Sequence, residues 1–268
     1  MVTLKLKGEE ETREVTTERA IFGPLNTYKL PNETHGGIPI CFPQFGNQGS
    51  LHQNGFVRRR FWKLDTDTPL FPATCSKKAF VDLIFKSSQD DLRFWPHSFE
   101  FRLRVTLAPG GALNLTSRIR NVKADGKPFS FTFAYHNYFP VINISDVQIE
   151  GLETSDYLDN LKNKERFTEQ GNALTFESEV DKIYLSTPAK IAILDHSKRQ
   201  IYAIRKDGLL DAVVWNPGDK KSKAMADFGK DEYNLMVCVE SAAVENPIKL
   251  KPGEEWRGCQ ELYVIPSS

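Results

Sequence analysis

The chain has 268 residues, 40% of them hydrophobic and 11% aromatic, with 35 Lys and Arg against 35 Asp and Glu. That apolar content suffices for a packed core and excludes wholesale disorder, while zero net charge argues against bulk electrostatic binding of nucleic acid or an anionic membrane. No apolar run approaches the roughly 18 residues of a transmembrane helix, and the charged opening MVTLKLKGEEETREV is unlike the apolar segment of a signal peptide.

Taken in chain order, the first distinctive stretch is His35 to Gly46, apolar but too rich in Gly and Pro for a regular strand. Loops of this kind often wall a site held by a rigid sheet, with a packed connector as the alternative. Gln53-Asn54-Gly55-Phe56-Val57 then leads into Arg58-Arg59-Arg60. If that segment is extended, Arg58 and Arg60 share one face and Arg59 points away.

Strands are expected at Val81–Phe85 and in the hairpin Phe99–Leu107/Leu113–Asn121, which alternates apolar and polar residues around Pro109-Gly110-Gly111. Further strands are expected at Phe129–His136, Lys190–Leu194, Ile201–Arg205, Ala212–Trp215, Met236–Ala243 and Glu261–Ile265. Helical periodicity over a dozen residues, internal repeats and low-complexity linkers are all lacking, so the pattern predicts one all-β domain over residues 1–268, a large antiparallel β-sandwich.

Chemistry-bearing candidates sit on two of these strands. Phe129, Phe131, Phe133 and Tyr135 share a face suited to the core, leaving Ser130, Thr132, Ala134 and His136 on the other. Glu240 is the only charge in Val237–Val244 and shares its face with Cys238 and Ala242. A carboxylate among small residues is either paired structurally or lines a cavity. Asp181 has acidic company from Glu177 and Glu179, which favours an exposed acidic loop. Cys41, Cys75, Cys238 and Cys259 are widely spread without a CxxC, which fits reduced thiols in a cytoplasmic protein. The histidines show no metal-ligand spacing, and nucleotide-binding loops and a GxSxG elbow are missing.

Together GGIPICFPQFG, QNGFVR, WPHSFEFRLRVTL, FAYHNYF, TFESEVDKIY, VVWNP, KAMADFG and VCVESAAV resemble, in order, plant proteins of the glucose-6-phosphate 1-epimerase family, over roughly residues 20–265. The resemblance implies a galactose-mutarotase-like β-sandwich that interconverts α and β anomers of a hexose 6-phosphate. It implies catalytic roles for His136 and Glu240, and substrate contacts from Gln53, Arg58 and Asp181. No metal or organic cofactor is implied, only a small sugar or sugar phosphate. His35 and Asn54 occupy substrate-contacting positions where the family usually has Arg and His, so weaker phosphate discrimination is expected. The family's early strand with a Gly-Gly pair and Trp is not recognisable in residues 1–30, so a shortened N-terminus is expected. The alternatives are a relative redirected to another hemiacetal, lactol or non-sugar molecule, and a carbohydrate-binding protein on the same scaffold; retention of both His136 and Glu240 argues against the last.

Overall fold

The computed structural model describes residues 36–67, 79–122, 126–225, 228–229 and 231–266, together with the backbone of residues 4–7 and 12–15. The strands are β1 (Leu4–Lys7), β2 (Thr12–Val15), β3 (Ile40–Cys41), β4 (Lys63–Leu64), β5 (Ala79–Lys86), β6 (Phe99–Leu107), β7 (Leu113–Asn121), β8 (Phe129–Tyr135) and β9 (Tyr138–Pro140). They continue with β10 (Val147–Glu150), β11 (Asp156–Asp159), β12 (Glu165–Thr168), β13 (Val180–Tyr184), β14 (Lys190–Asp195), β15 (Gln200–Asp207), β16 (Asp211–Asn216), β17 (Met236–Leu250) and β18 (Glu255–Pro266). Two short helices, α1 (Gln89–Phe94) and α2 (Gly218–Ser222), interrupt them.

Two large antiparallel sheets result. One runs β10-β14-β15-β18-β7-β6-β5-β4; the other runs β12-β11-β13-β16-β17-β8-β3, with β9 paired to β17. β1 and β2 pair with each other. The expected β-sandwich is therefore the observed one, and each expected strand lies within or overlaps an observed strand. The hairpin of β6 and β7 pairs Phe99 with Asn121 and Leu107 with Leu113, closed by a turn in which Gly110 adopts φ +84°. That left-handed conformation is open to glycine and costly for most other residues.

Alternation predicts a strand over Met236–Ala243, but β17 continues to Leu250. Its register against β8 shifts between Ala243 and Ile248, a bulge that carries Pro247, which has no N–H for a regular ladder. The strands β10 to β13 and helix α1 were also unanticipated. They are short, and their polar faces dilute the alternation on which strand recognition rests.

Alternation decides which residues fill the space between the sheets. Phe129, Phe131, Phe133 and Tyr135 of β8 are buried against Phe99, Phe101 and Ile119 of the facing sheet. Phe42 makes edge-to-face contacts with Phe99, Phe101 and Phe131. Such contacts add to area burial about 0.5–1.5 kcal/mol per pair. The Tyr135 hydroxyl donates to Ser117 Oγ at 2.6 Å, tying β8 to β7 through the core. With its aromatic face committed to this core, β8 presents its small residues on the opposite surface.

Candidate active site

That opposite surface is assembled by strand register. Ala134 of β8 lies beside Ala242 of β17, and Cys41 of β3 lies beside Ala134. Glu240 pairs with Val213; one step further, Cys238 pairs with Trp215, and Trp215 with Asp181. Tyr138 of β9 flanks Cys238 on its other side. Partners in an antiparallel ladder project to the same face. Cys41, Ala134, Tyr138, Asp181, Trp215, Cys238 and Glu240 therefore share one.

His136 stands in the break between β8 and β9, where its own N–H donates to the Pro39 carbonyl at 2.9 Å and that of Tyr138 to Gly37 at 3.1 Å. Its ring lies against Tyr138, with centroids 4.7 Å apart, and 6.1 Å from Trp215. Nδ1 of His136 is 2.9 Å from Oε1 of Glu240, a carboxylate only 1% exposed. The approach is close but misaligned for a hydrogen bond: Nδ1 has no hydrogen-bond partner, and neither has Glu240 Oε2. On the ring's other edge, Nε2 is 3.5 Å from the thiol of Cys238. A buried acceptor without a partner costs about 1–3 kcal/mol. A bound hydroxyl group would satisfy it.

Electrostatics draw the same neighbourhood together. Burial pushes the Tyr138 hydroxyl well above its ordinary range, with Cys238, Glu240 and Cys41 adding to the shift and Arg58 opposing it. Burial likewise raises the Cys238 thiol, reinforced by Glu240 and Cys41.

Arg58 reaches this environment by a route that an extended reading misses. Val57–Arg59 forms a single 3₁₀ turn, closed by Arg60 N–H to Val57 O at 3.2 Å, so Arg58 and Arg60 do not share a strand face. The cause lies just upstream: Gly55 has φ +72°, and Phe56 N–H donates to Phe42 O at 3.1 Å. Arg60 turns instead to Asp91, with Nε 2.8 Å from Oδ1.

Asp181 corrects the expectation of an exposed acidic loop. It lies in β13, where Asn160 Nδ2 donates to its Oδ1 at 2.7 Å and Lys221 Nζ stands 3.8 Å from Oδ2. Burial raises its pKa; the Asn160 hydrogen bond, Lys221 and His136 pull it down. Asn54 is buried at φ +61°, and its carboxamide oxygen accepts the Gly46 N–H at 2.7 Å, closing the loop from 46 to 54. Gln53 is exposed on that loop, and His35 lies outside the described residues. Tyr138 and Lys221 were not singled out from the sequence. Their proximity depends on cross-strand register and on α2, which no local pattern encodes. Among the described residues, Cys41, His136 and Glu240 are the trio whose donor atoms fall within a metal ion's reach of one another.

Residues 7–263 match the aldose 1-epimerase family. The chain belongs to that family. It is 64% identical over 241 residues, 90% of this chain and 73% of the relative, to a Cenchrus ciliaris protein named "Putative glucose-6-phosphate 1-epimerase". An Escherichia coli protein of the same name is 31% identical, covering 98% of this chain and 83% of the relative. The crystal structure of "a putative mutarotase" from Salmonella typhimurium superposes with a TM-score of 0.79 at 25% identity, covering 98% of this chain and 83% of that one. A galactose mutarotase related enzyme from Lactobacillus acidophilus shares the fold, with a TM-score of 0.73 at 15% identity over 100% of this chain and 99% of that one. As an aldose 1-epimerase, the chain is an isomerase that interconverts the anomers of a small sugar. Among the described residues, no helix of this epimerase is long and apolar enough to cross a membrane.

Proposed function

We propose that this aldose 1-epimerase, acting as one sandwich unit, interconverts the α and β anomers of a hexose 6-phosphate, with Glu240 as base and His136 as acid. The observation that carries the assignment is the 2.9 Å approach of His136 Nδ1 to Glu240 Oε1, with Oε2 left buried and unpartnered. The names of the Cenchrus ciliaris and Escherichia coli relatives support the phosphorylated substrate.

Glu240 takes the proton of the anomeric hydroxyl while the His136 imidazolium gives one to the ring oxygen. The bond between C1 and the ring oxygen breaks, leaving the open-chain aldehyde. Rotation about C1–C2 presents the other carbonyl face, and closure returns both protons. Ring opening and closure need only acid–base assistance and involve no net oxidation or reduction, so the chemistry calls on no metal or organic cofactor. Each partner contributes about 10²–10⁴-fold. Asp181 supplies a carboxylate for sugar hydroxyls and Arg58 a guanidinium for phosphate, with Gln53 and Asn54 as further substrate contacts.

Two-dimensional exchange NMR on glucose 6-phosphate tests the reading. Expected is an α/β exchange rate well above the uncatalysed one, and a higher kcat/KM than for unphosphorylated glucose. No acceleration with either sugar would refute it.

A further inference from the structure

The cluster that we read as acid and base contains a thiol that the epimerase chemistry does not use. Cys41 is fully buried on β3, and its sulfur, a ring nitrogen of His136 and a carboxylate oxygen of Glu240 all lie within 4.8 Å of one another. Ligands of one tetrahedral zinc ion sit about 3.3–3.7 Å apart, given bond lengths of about 2.0–2.3 Å. Small rotamer adjustments therefore bring these three around a single ion. Thiolate, imidazole and carboxylate form a donor set suited to Zn²⁺ and poorly suited to Mg²⁺ or Ca²⁺.

A second observation points the same way. Glu240 is almost completely buried, yet Oε2 has no hydrogen-bond partner, and Nδ1 of His136 has none either. A divalent ion would coordinate such atoms directly. Its charge of +2 would be neutralised by one thiolate and one carboxylate, leaving the buried site without net charge. The Cys41 thiol gives its proton to solvent as the Zn–S bond forms.

We infer that Cys41, His136 and Glu240 form an inhibitory site for Zn²⁺, with water in the fourth position. Occupied, it withdraws both the base and the acid from the sugar, so metal and sugar compete. The inhibitory consequence rests on the roles proposed above for Glu240 and His136; the binding itself does not.

The test pairs a binding measurement with a rate. Equilibrium dialysis of the metal-free full chain should show one Zn²⁺ bound with Cys41 present and its affinity reduced at least about tenfold in Cys41→Ala and Cys41→Ser. Co²⁺ in place of Zn²⁺ should give a thiolate-to-metal charge-transfer band that both variants lose. Cys259→Ser, whose thiol lies on the other sheet, should behave as wild type. Anomer exchange should be inhibited competitively by Zn²⁺, recover on addition of a chelator, and in the metal-free Cys41 variants persist with at least about tenfold weaker inhibition. Absence of the cobalt band, or unchanged Zn²⁺ affinity in both well-folded Cys41 variants, would overturn the site. Should the chain prove inactive on sugars, dialysis and the cobalt band still decide binding, so failure of one reading is distinguishable from failure of the other.

Discussion

Asn137 and Gln260 exchange two hydrogen bonds across the sandwich, Asn137 Nδ2 to Gln260 Oε1 at 2.9 Å and Gln260 Nε2 to Asn137 Oδ1 at 2.7 Å. Both side chains are buried, and Asn137 Nδ2 also donates to Val239 O at 2.9 Å. One carboxamide thus links the neighbour of His136 to the neighbour of Glu240, and anchors both to β18 on the opposite sheet. Gln260→Leu leaves Asn137 half satisfied and should cost about 1–3 kcal/mol in urea unfolding. Because the pair acts through placement of His136 and Glu240, kcat should fall while KM changes little. A variant with wild-type kcat would show that the link serves stability alone.

Glu240→Gln and His136→Ala should each slow anomer exchange by at least about 10²-fold while keeping the wild-type circular dichroism spectrum. Full activity in either well-folded variant removes that residue from the mechanism.

Asp181 carries a pKa raised by burial above its ordinary 3.8. Its folded form binds protons more readily than the unfolded chain, so its ionisation lowers stability as pH rises through the interval between 3.8 and the raised value. Asp181→Asn should therefore be more stable than wild type at pH 7, with the advantage fading as pH falls through that interval. The same variant should raise KM for the sugar. Urea titrations at several pH values and exchange kinetics check the two halves separately.

Lys206 is buried with its ammonium donating to the carbonyls of Leu209 and Leu210, and burial lowers its pKa to about 8 from 10.5. Here the unfolded chain binds the proton more tightly. Wild type should gain stability relative to Lys206→Met as pH rises from about 8 to 10.5, by on the order of 3 kcal/mol. A difference between the two proteins that stays flat over that interval would contradict the depressed value.

A methyl group at Gly55 would sit 2.1 Å from the Phe42 carbonyl oxygen, at a φ of +72° that L-residues rarely adopt. Gly55→Ala should lower stability by about 1–3 kcal/mol. By moving the turn that carries Arg58, it should also raise KM for hexose 6-phosphate more than for the free sugar. Equal effects on the two sugars would detach Arg58 from phosphate recognition.

Local alternation by itself determined the sandwich, the inward set Phe129, Phe131, Phe133 and Tyr135, and the outward placement of Glu240 with Cys238. A period of two specifies the face a side chain takes without reference to any other strand. It carries no information about which strand lies alongside, or in what register. Tertiary structure alone therefore decided that Trp215 and Asp181 line up with Cys238, and that Cys41 arrives beside Ala134. The turn at Val57–Arg59 was decided the same way: a run of arginines favours no backbone conformation strongly, while the Phe42 carbonyl, set by the core, captures the N–H of Phe56 and bends the chain. The 2.9 Å approach of His136 to Glu240 joins residues 104 positions apart, and only the pairing of β8 and β9 with β17 brings them together.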